Sequence, residues 1–459
     1  MTAIPQILKS ILQCPLCAQP LESTACGKCK TEFFSFGGIL SFMPAGMGQK
    51  QLWQHQLAVN HQQAQAGFEL MQNLLERPDL VPATRSRIEE TLRVAKASCQ
   101  SIDDLMQSVG ISARFDEQLA HLNLGPISEY YHHILQDWAW GDDTVQQRLE
   151  PILASVQPSE APVLLALGAG AGRLSWELHK TWGAQYTLAT DINPLLLAAS
   201  HRLIVRKEAF DFCELNSFPQ IGKNASAIYT LKADSSAEHP GWMALAADVW
   251  RMPLQPNSVD IILTAWFIDV HGGDNRELIG LIHHWLKPGG VWVNSGPLLY
   301  PKAMPIERKY NREELLELIN LAGFELTHQA LNEHQHLNSP INVRRQTEQV
   351  WTFCARKPAV AHTTTNTSTT NTSATNTTAT NTTAPSDLPP AWLVFHHLPI
   401  PQIFTPPSES HPLIDQILAH VDGQHSINSL SAQIATQVPE GLDPLATVVE
   451  VLGALLDLP

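Results

Sequence analysis

Lysine and arginine are scarce in this chain: 29 basic residues stand against 44 acidic ones, the formal net charge is −15, and charged residues make up 16% of the 459. No block of Lys or Arg relieves that balance. This argues against an extended phosphate-binding surface, because affinity for nucleic acid comes mainly from clustered basic side chains. A run of about 18 uncharged apolar residues is also missing, so no membrane-spanning helix is expected. The opening, Met1 to Gln13, is too short and too polar for a secretory leader. Cysteine is limited to seven residues, four of them within the first 29. Reduced thiols and a bound metal fit a cytoplasmic chain, and that compartment is the expectation. The length is too great for one core, so two or more domains are expected.

What is present centres on Val163-Leu164-Leu165-Ala166-Leu167-Gly168-Ala169-Gly170-Ala171-Gly172-Arg173. The short, uncharged run to Leu167 predicts a buried parallel strand. The three glycines then predict a turn that lets backbone approach a ligand at the start of the next helix, Leu174 to Trp182. A second strand, Tyr186 to Thr190, delivers Asp191 nineteen residues after Gly172, a spacing suited to an acid that accepts from ribose hydroxyls. The glycine spacing is G-x-G-x-G rather than the G-x-G-x-x-G of dinucleotide sites, with Arg173 where a third glycine of that fingerprint would stand. Further along, Ala246-Ala247-Asp248-Val249 places an acid after a third apolar run. Val259 to Ala265 is a fourth strand leading into Trp266-Phe267-Ile268-Asp269, and Leu286-Lys287-Pro288-Gly289-Gly290-Val291-Trp292-Val293 is a helix stop followed by a fifth strand.

That succession resembles the class I S-adenosylmethionine-dependent methyltransferases. The resemblance implies an α/β, Rossmann-like, seven-stranded core over residues 150–358, with Gly168, Gly170, Gly172, Asp191, Asp248 and Val249 at the cofactor. Closing elements are expected as a helix from Asn311 to Leu321 and strands near Phe324 to Thr327 and Val350 to Ala355. Residues 203–242 form a long insertion of the kind that builds an acceptor pocket.

Residues 1–45 carry Cys14-Pro15-Leu16-Cys17 and Cys26-Gly27-Lys28-Cys29. Two C-x2-C knuckles supply four thiolates that can close tetrahedrally on Zn2+, and a segment this small needs the metal to hold its fold. It resembles the amino-terminal zinc ribbons of some bacterial methyltransferases, ribosomal RNA enzymes among them, with Phe33 to Leu40 as its closing hairpin. Residues 46–149 are helical in character and are expected to pack as a cap; at their end Tyr130-Tyr131-His132-His133 is equally readable as a ligand-facing lid or as the seam between cap and core. Residues 359–390 contain a Thr/Asn-rich stretch with Asn366, Asn371, Asn376 and Asn381 at every fifth position, which predicts a solvated linker. Residues 391–459 resemble the small winged-helix-like modules of the PqqD-like group. They imply a peptide or protein partner rather than DNA, since Trp392 to the end has no Lys or Arg.

Gln136-Asp137-Trp138, Trp266-Phe267-Ile268-Asp269, the run Gly290 to Tyr300 and Phe353-Cys354-Ala355-Arg356-Lys357-Pro358 together resemble the carnosine N-methyltransferase family over roughly Tyr130 to Pro358. Members methylate the imidazole nitrogen of a histidine-containing dipeptide. The resemblance implies that Asp269 is the acid of an acceptor pocket flanked by Trp266, Phe267 and Tyr300. Two positions depart from it: Pro301 stands where the family usually has histidine, and Arg345-Gln346-Thr347-Glu348-Gln349 stands where it has tyrosines. A neutral ring nitrogen attacking a sulfonium methyl needs alignment more than acid or base. Asp269 is therefore expected to accept the other ring N–H and fix the tautomer, with His271 a second candidate for proton transfer and His283 and His284 surface or packing residues. The rival readings are an RNA methyltransferase served by the ribbon and a scaffold that binds S-adenosylmethionine without turnover.

Overall fold

The computed structural model describes residues 4, 6–43, 48–120, 126–234, 240–359, 412–421, 427–434, 447–448 and 451–452. They belong to two compact units, Met1–Ala359 and Val360–Pro459. The Thr/Asn-rich linker lies outside the described residues, as do residues 391–411 and most of the third helix expected near the end. In the second unit two helices are described, Pro412–Ala419 and Ile427–Ile434, with Ile417, Leu430 and Ile434 buried. No helix among the described residues is long and apolar enough to cross a membrane.

The first unit is built on a sheet whose strands, in chain order, are β1 (Phe34–Phe36), β2 (Ile39–Ser41), β3 (Val163–Leu167), β4 (Tyr186–Asp191), β7 (Trp242–Ala246), β8 (Val259–Ala265), β9 (Leu286–Gly296), β10 (Glu325–Gln335) and β11 (Thr347–Arg356). A hairpin of β5 (Phe210–Leu215) and β6 (Ser226–Leu231) forms a separate two-stranded sheet. The large sheet runs β1-β2-β7-β4-β3-β8-β9-β11-β10. Strands β7, β4, β3, β8 and β9 are parallel, and β11 and β10 return antiparallel. All five side chains of β3 are buried, as a continuous apolar strand between two layers of helices requires. Succession passes from β3 to β4 on one side and to β8 on the other, so the sheet's switch point lies beside β3, where ligand crevices of open α/β sheets form.

Seven of these nine strands are the expected core; the other two belong to the cysteine-bearing segment. Strand β2 pairs in parallel with β7, Leu40 opposite Leu245 and Ser41 opposite Ala246. The amino-terminal segment is further fastened where Gln13 N–H donates to Pro253 O and Gln255 N–H to Ile11 O. It is thus continuous with the core sheet.

Ahead of the core stand α1 (Gly48–Leu75), α2 (Pro82–Ser108), α3 (Tyr131–Trp138) and α4 (Asp142–Ser155). Trp53, Leu57, Ile102, Leu105 and Met106 pack with Phe34 and Phe36 of the hairpin and with the buried helix α6 (Pro194–Ser200). Helices α1 and α2 are also tied by His61 Nε2 and Asp103 Oδ1 at 2.5 Å. Helix α5 (Arg173–Trp182) follows the glycine turn. The long insertion opens as a π-helical turn, His201–Val205, before the β5-β6 hairpin. Strands β10 and β11 extend well beyond the closing strands expected from sequence, to Gln335 and back to Thr347. The extension is what carries three polar residues to the site described next.

Candidate functional site

Every residue expected at the cofactor or acceptor lies at or just beyond a carboxyl end of a parallel strand. After β3, Gly168, Gly170 and Gly172 all have positive φ, 59°, 58° and 83°, which only glycine adopts without strain. A Cβ on Gly168 would stand 2.4 Å from the Phe267 ring, and one on Gly172 2.9 Å from Ser200 and Trp242. Gly170 faces open space, with nothing within 4 Å of its Cβ position. The turn is therefore closed on two sides and open on one, the shape of a cradle for a ligand at the mouth of α5.

Asp191, at the end of β4, ties this turn down: its Oδ2 accepts from Gly170 N–H and its Oδ1 from Asn193 N–H, both at 2.9 Å. Burial pushes its carboxyl up to about 6. A carboxylate offers about four lone-pair sites, so two remain for hydroxyls of a bound ligand. After β7, Asp248 Oδ1 accepts from Trp250 N–H at 3.0 Å, burial raises its carboxyl, and Val249 is buried beside it.

The segment after β8 turns sharply. Trp266 has φ +49°, a left-handed conformation that costs an aromatic residue strain. Gly296, at the end of β9, makes room for it: a Cβ there would lie 3.0 Å from Trp266 N. The turn sends Phe267 over Gly168 and Trp266 the other way, toward β10 and β11. Asp269 is 2% exposed. Its Oδ2 accepts from Leu299 N–H at 2.7 Å, while Oδ1 is buried without a hydrogen-bond partner. Burial pushes this carboxyl up to about 6. An orphaned carboxylate oxygen in a crevice marks a place for a donor from a ligand.

His271 is placed differently from the proton-transfer candidate expected. Its Nδ1 accepts from Gly273 N–H at 3.1 Å and its Nε2 meets Asn275 Oδ1 at 3.0 Å, so both nitrogens hold the turn itself. Burial lowers its pKa, which keeps it neutral. Tyr300 Oη accepts from Asn275 Nδ2 at 3.3 Å and completes this bracket.

Helix α3 supplies the roof, and its last three residues hold three different neighbours. Gln136 Oε1 accepts from Leu337 N–H at 2.6 Å in the β10-β11 connection. Asp137 pairs with Arg148 of α4 at 3.0 Å, both side chains less than a tenth exposed. Trp138 Nε1 donates to Ala171 O of the glycine turn at 2.9 Å, with Arg173 over its ring. The preceding aromatics divide between the two functions weighed from sequence. Tyr131 Oη donates to Cys213 O and its ring meets Phe212 at 5.1 Å, which makes it seam. His133 reaches His336, ring centroids 5.9 Å apart, on the acceptor side.

His334 and His336 escaped the sequence reading, and Glu348 entered it only within the stretch Arg345 to Gln349 that departs from the family. His334 stands directly opposite Glu348 in the β10-β11 register. Glu348 Oε2 accepts from Trp266 Nε1 at 2.8 Å, and the Trp266 ring stacks on His336 at 5.7 Å and meets His334 edge-on at 6.1 Å. The Nδ1 atoms of His334 and His336 are, like Asp269 Oδ1, buried without hydrogen-bond partners. The available signal was the His-Gln-His spacing, which in a strand turns both imidazoles to one face.

Away from this crevice the four cysteines of the amino-terminal segment come together. The pairs Cys14–Cys29 and Cys17–Cys26 have Sγ separations of 3.6 and 3.4 Å, and all four sulfurs lie within 4.8 Å of one another. The knuckles repeat one backbone design: Ala18 N–H donates to Cys14 O and Lys30 N–H to Cys26 O, and Ala18 and Lys30 both take positive φ. Four sulfurs at such separations fit a tetrahedral ion.

A family model described as carnosine N-methyltransferase matches residues 121–357, more than half of the 459. The rat protein named carnosine N-methyltransferase is 28% identical over 187 residues, covering 37% of this chain and 44% of the relative. The protein of that name from Dictyostelium discoideum is 25% identical over 199 residues, covering 39% and 41%. The match thus spans less than half the length of these curated relatives. Among solved structures, a SAM-dependent methyltransferase from Methanosarcina mazei aligns with a TM-score of 0.32 at 15% identity, covering 46% of this chain and 97% of that one. One from Aquifex aeolicus aligns with a TM-score of 0.32 at 14% identity, covering 50% and 98%.

Proposed function

The chain belongs to the carnosine N-methyltransferase family, and from that premise we propose that it transfers the methyl group of S-adenosylmethionine to an imidazole or amine nitrogen of a small molecule or histidine-containing peptide. The observation that carries this reading is the partnerless Oδ1 of Asp269, buried between the Phe267 cover of the glycine turn and the Leu299 backbone.

Bound S-adenosylmethionine supplies an electrophilic methyl on sulfonium. The chain supplies alignment. Gly168, Gly170 and Gly172 leave the cradle open at Gly170, Asp191 offers its remaining lone pairs to ribose hydroxyls, and Asp248 with Val249 borders the adenine position. Asp269 Oδ1 accepts N–H from the acceptor, which turns the neutral, lone-pair-bearing nitrogen toward the methyl and steadies the positive charge that develops there. Phe267 keeps water from the join, and Trp266 and Tyr300 frame the acceptor. His271 braces the turn that presents Asp269, and no proton passes through it.

Cys14, Cys17, Cys26 and Cys29 are assigned to a structural Zn2+, closed to substrate by its four thiolates. The carboxyl-terminal unit, free of Lys and Arg from Trp392 on, suits a peptide or protein partner rather than nucleic acid. The experiment is incubation with methyl-labelled S-adenosylmethionine and separated small-molecule, peptide and RNA fractions. Label is expected in an imidazole- or amine-bearing fraction, with Asp269→Asn reducing it at least about a hundredfold while retaining cofactor binding. Label in RNA alone, or full activity in that variant, overturns the reading.

A further inference from the structure

Three residues that methyl transfer does not use meet between α1 and α2. His61 lies on α1, and Cys99 and Asp103 stand one turn apart on α2, an i, i+4 spacing that turns both toward one face. A ring nitrogen of His61, Sγ of Cys99 and a carboxylate oxygen of Asp103 all lie within 4.8 Å of one another. Each residue is partly exposed, the His61 and Asp103 side chains by 35% and 20%, so an ion can reach them from solvent. His61 Nε2 and Asp103 Oδ1 meet at 2.5 Å. A histidine–aspartate hydrogen bond accounts for that contact, but not for a free thiol brought up to both partners.

Imidazole, thiolate and carboxylate together make a donor set for a borderline divalent ion such as Zn2+, whereas Mg2+ and Ca2+ favour oxygen alone. Ligand atoms around a tetrahedral Zn2+ stand about 3.3–3.8 Å apart, so the set needs the His61–Asp103 contact to open by roughly 0.8 Å, a small rotation of two side chains with solvent beside them. We propose that His61, Cys99 and Asp103 form a second metal site, separate from the four cysteines, which takes a borderline divalent ion and leaves its fourth position to water. As the metal–sulfur bond forms, the thiol proton leaves to solvent. The place of the site gives it a mechanical role. From His61 to Arg93 no residue of the two helices or of the turn between them is buried, so this arm has no core of its own. Asn60 and Val94 are the buried residues that flank it. An ion held at that level clamps the arm at its root.

The test uses the full chain in equilibrium dialysis against Zn2+, with bound metal counted by elemental analysis. Wild type is expected to hold one more ion per chain than His61→Ala or Cys99→Ser, whatever the four cysteines hold. Asp104→Asn, beside the cluster and outside it, is expected to match wild type, and Cys99→His, which returns a ligand, to recover the ion. Loss of a group that only supports a ligand costs about 10–100-fold in metal affinity, so loss of the Cys99 thiolate is expected to cost at least about a hundredfold. With Co2+ as the probe, a thiolate-to-metal absorption band present in wild type is expected to be weaker in Cys99→Ser. Hydrogen exchange reads the clamp: Zn2+ is expected to slow the amides of residues 61–93 at least about tenfold in wild type and not in Cys99→Ser. Equal metal content in wild type and the His61→Ala and Cys99→Ser variants overturns the site. An extra ion that leaves exchange unchanged overturns the clamp.

Discussion

At Asp269 the fold holds an acid it would be more stable without. Burial raises its carboxyl from an ordinary 3.8 to about 6. Below about pH 4 it is protonated folded and unfolded alike. Between there and 6 the native state binds the extra proton, so stability declines as pH rises through that window, and above 6 the full cost is present. Asp269→Asn is therefore expected to raise the melting temperature of the ligand-free protein near neutral pH by a few degrees, a gain on the order of 2 kcal/mol, while it removes turnover. Calorimetry at pH 7.5 and pH 4.5 checks the sign: the gain shrinks at the lower pH. The same titration predicts that methyl transfer, which uses the ionised form, falls as pH drops through about 6. A kcat profile from pH 5 to 8 measures it. Gly168→Ala, whose new Cβ would meet the Phe267 ring at 2.4 Å from a backbone at φ +59°, is expected to weaken S-adenosylmethionine binding at least about tenfold by equilibrium dialysis.

At the scale of elements, helix α3 acts as a three-way clamp, and the ion pair under it is its fixed point. Arg148→Met leaves Asp137 buried and unpaired, a loss of about 3–5 kcal/mol that thermal melting would register, accompanied by loosening of α3 from the glycine turn. Elements with a simple signal were legible from sequence. Val163–Leu167 is a continuous apolar strand and Val259–Ala265 is apolar apart from Asp260 and Thr264, and the glycines after the first and Asp191 at the end of β4 mark turns by chemistry alone. What escaped was set by pairing across long separations. The β5-β6 hairpin has only a weak burial pattern in β6. The outer part of β10 alternates polar residues at the sheet's edge, so nothing local in Asn332-Glu333-His334-Gln335-His336 distinguishes a strand from a loop. His334 and Glu348 become neighbours through register with β11, which no spacing within either segment encodes. The positive φ of Trp266 was invisible for a related reason: the room for it is made thirty residues later, by Gly296.

For the molecule as a whole, the division into Met1–Ala359 and Val360–Pro459 predicts that a chain ending at Ala359 keeps its S-adenosylmethionine affinity within about twofold in a binding titration. The amino-terminal segment should behave in the opposite way, because β2 is a strand of the core sheet. Cys26→Ser, or a chelator that removes the Zn2+ proposed for the four cysteines, is expected to lower the melting temperature of the first unit in a single transition, followed by circular dichroism, rather than release a small independent domain.

The pairing of Leu40 with Leu245 and Ser41 with Ala246 also has a colloidal consequence. With β2 in place, the margin of the sheet on that side is β1, only three residues long. Strip the hairpin away and β7 offers a row of unsatisfied amides and carbonyls to any passing chain, an invitation to strand-by-strand self-association. Whatever loosens that hairpin is expected to bring aggregation along with the loss of stability.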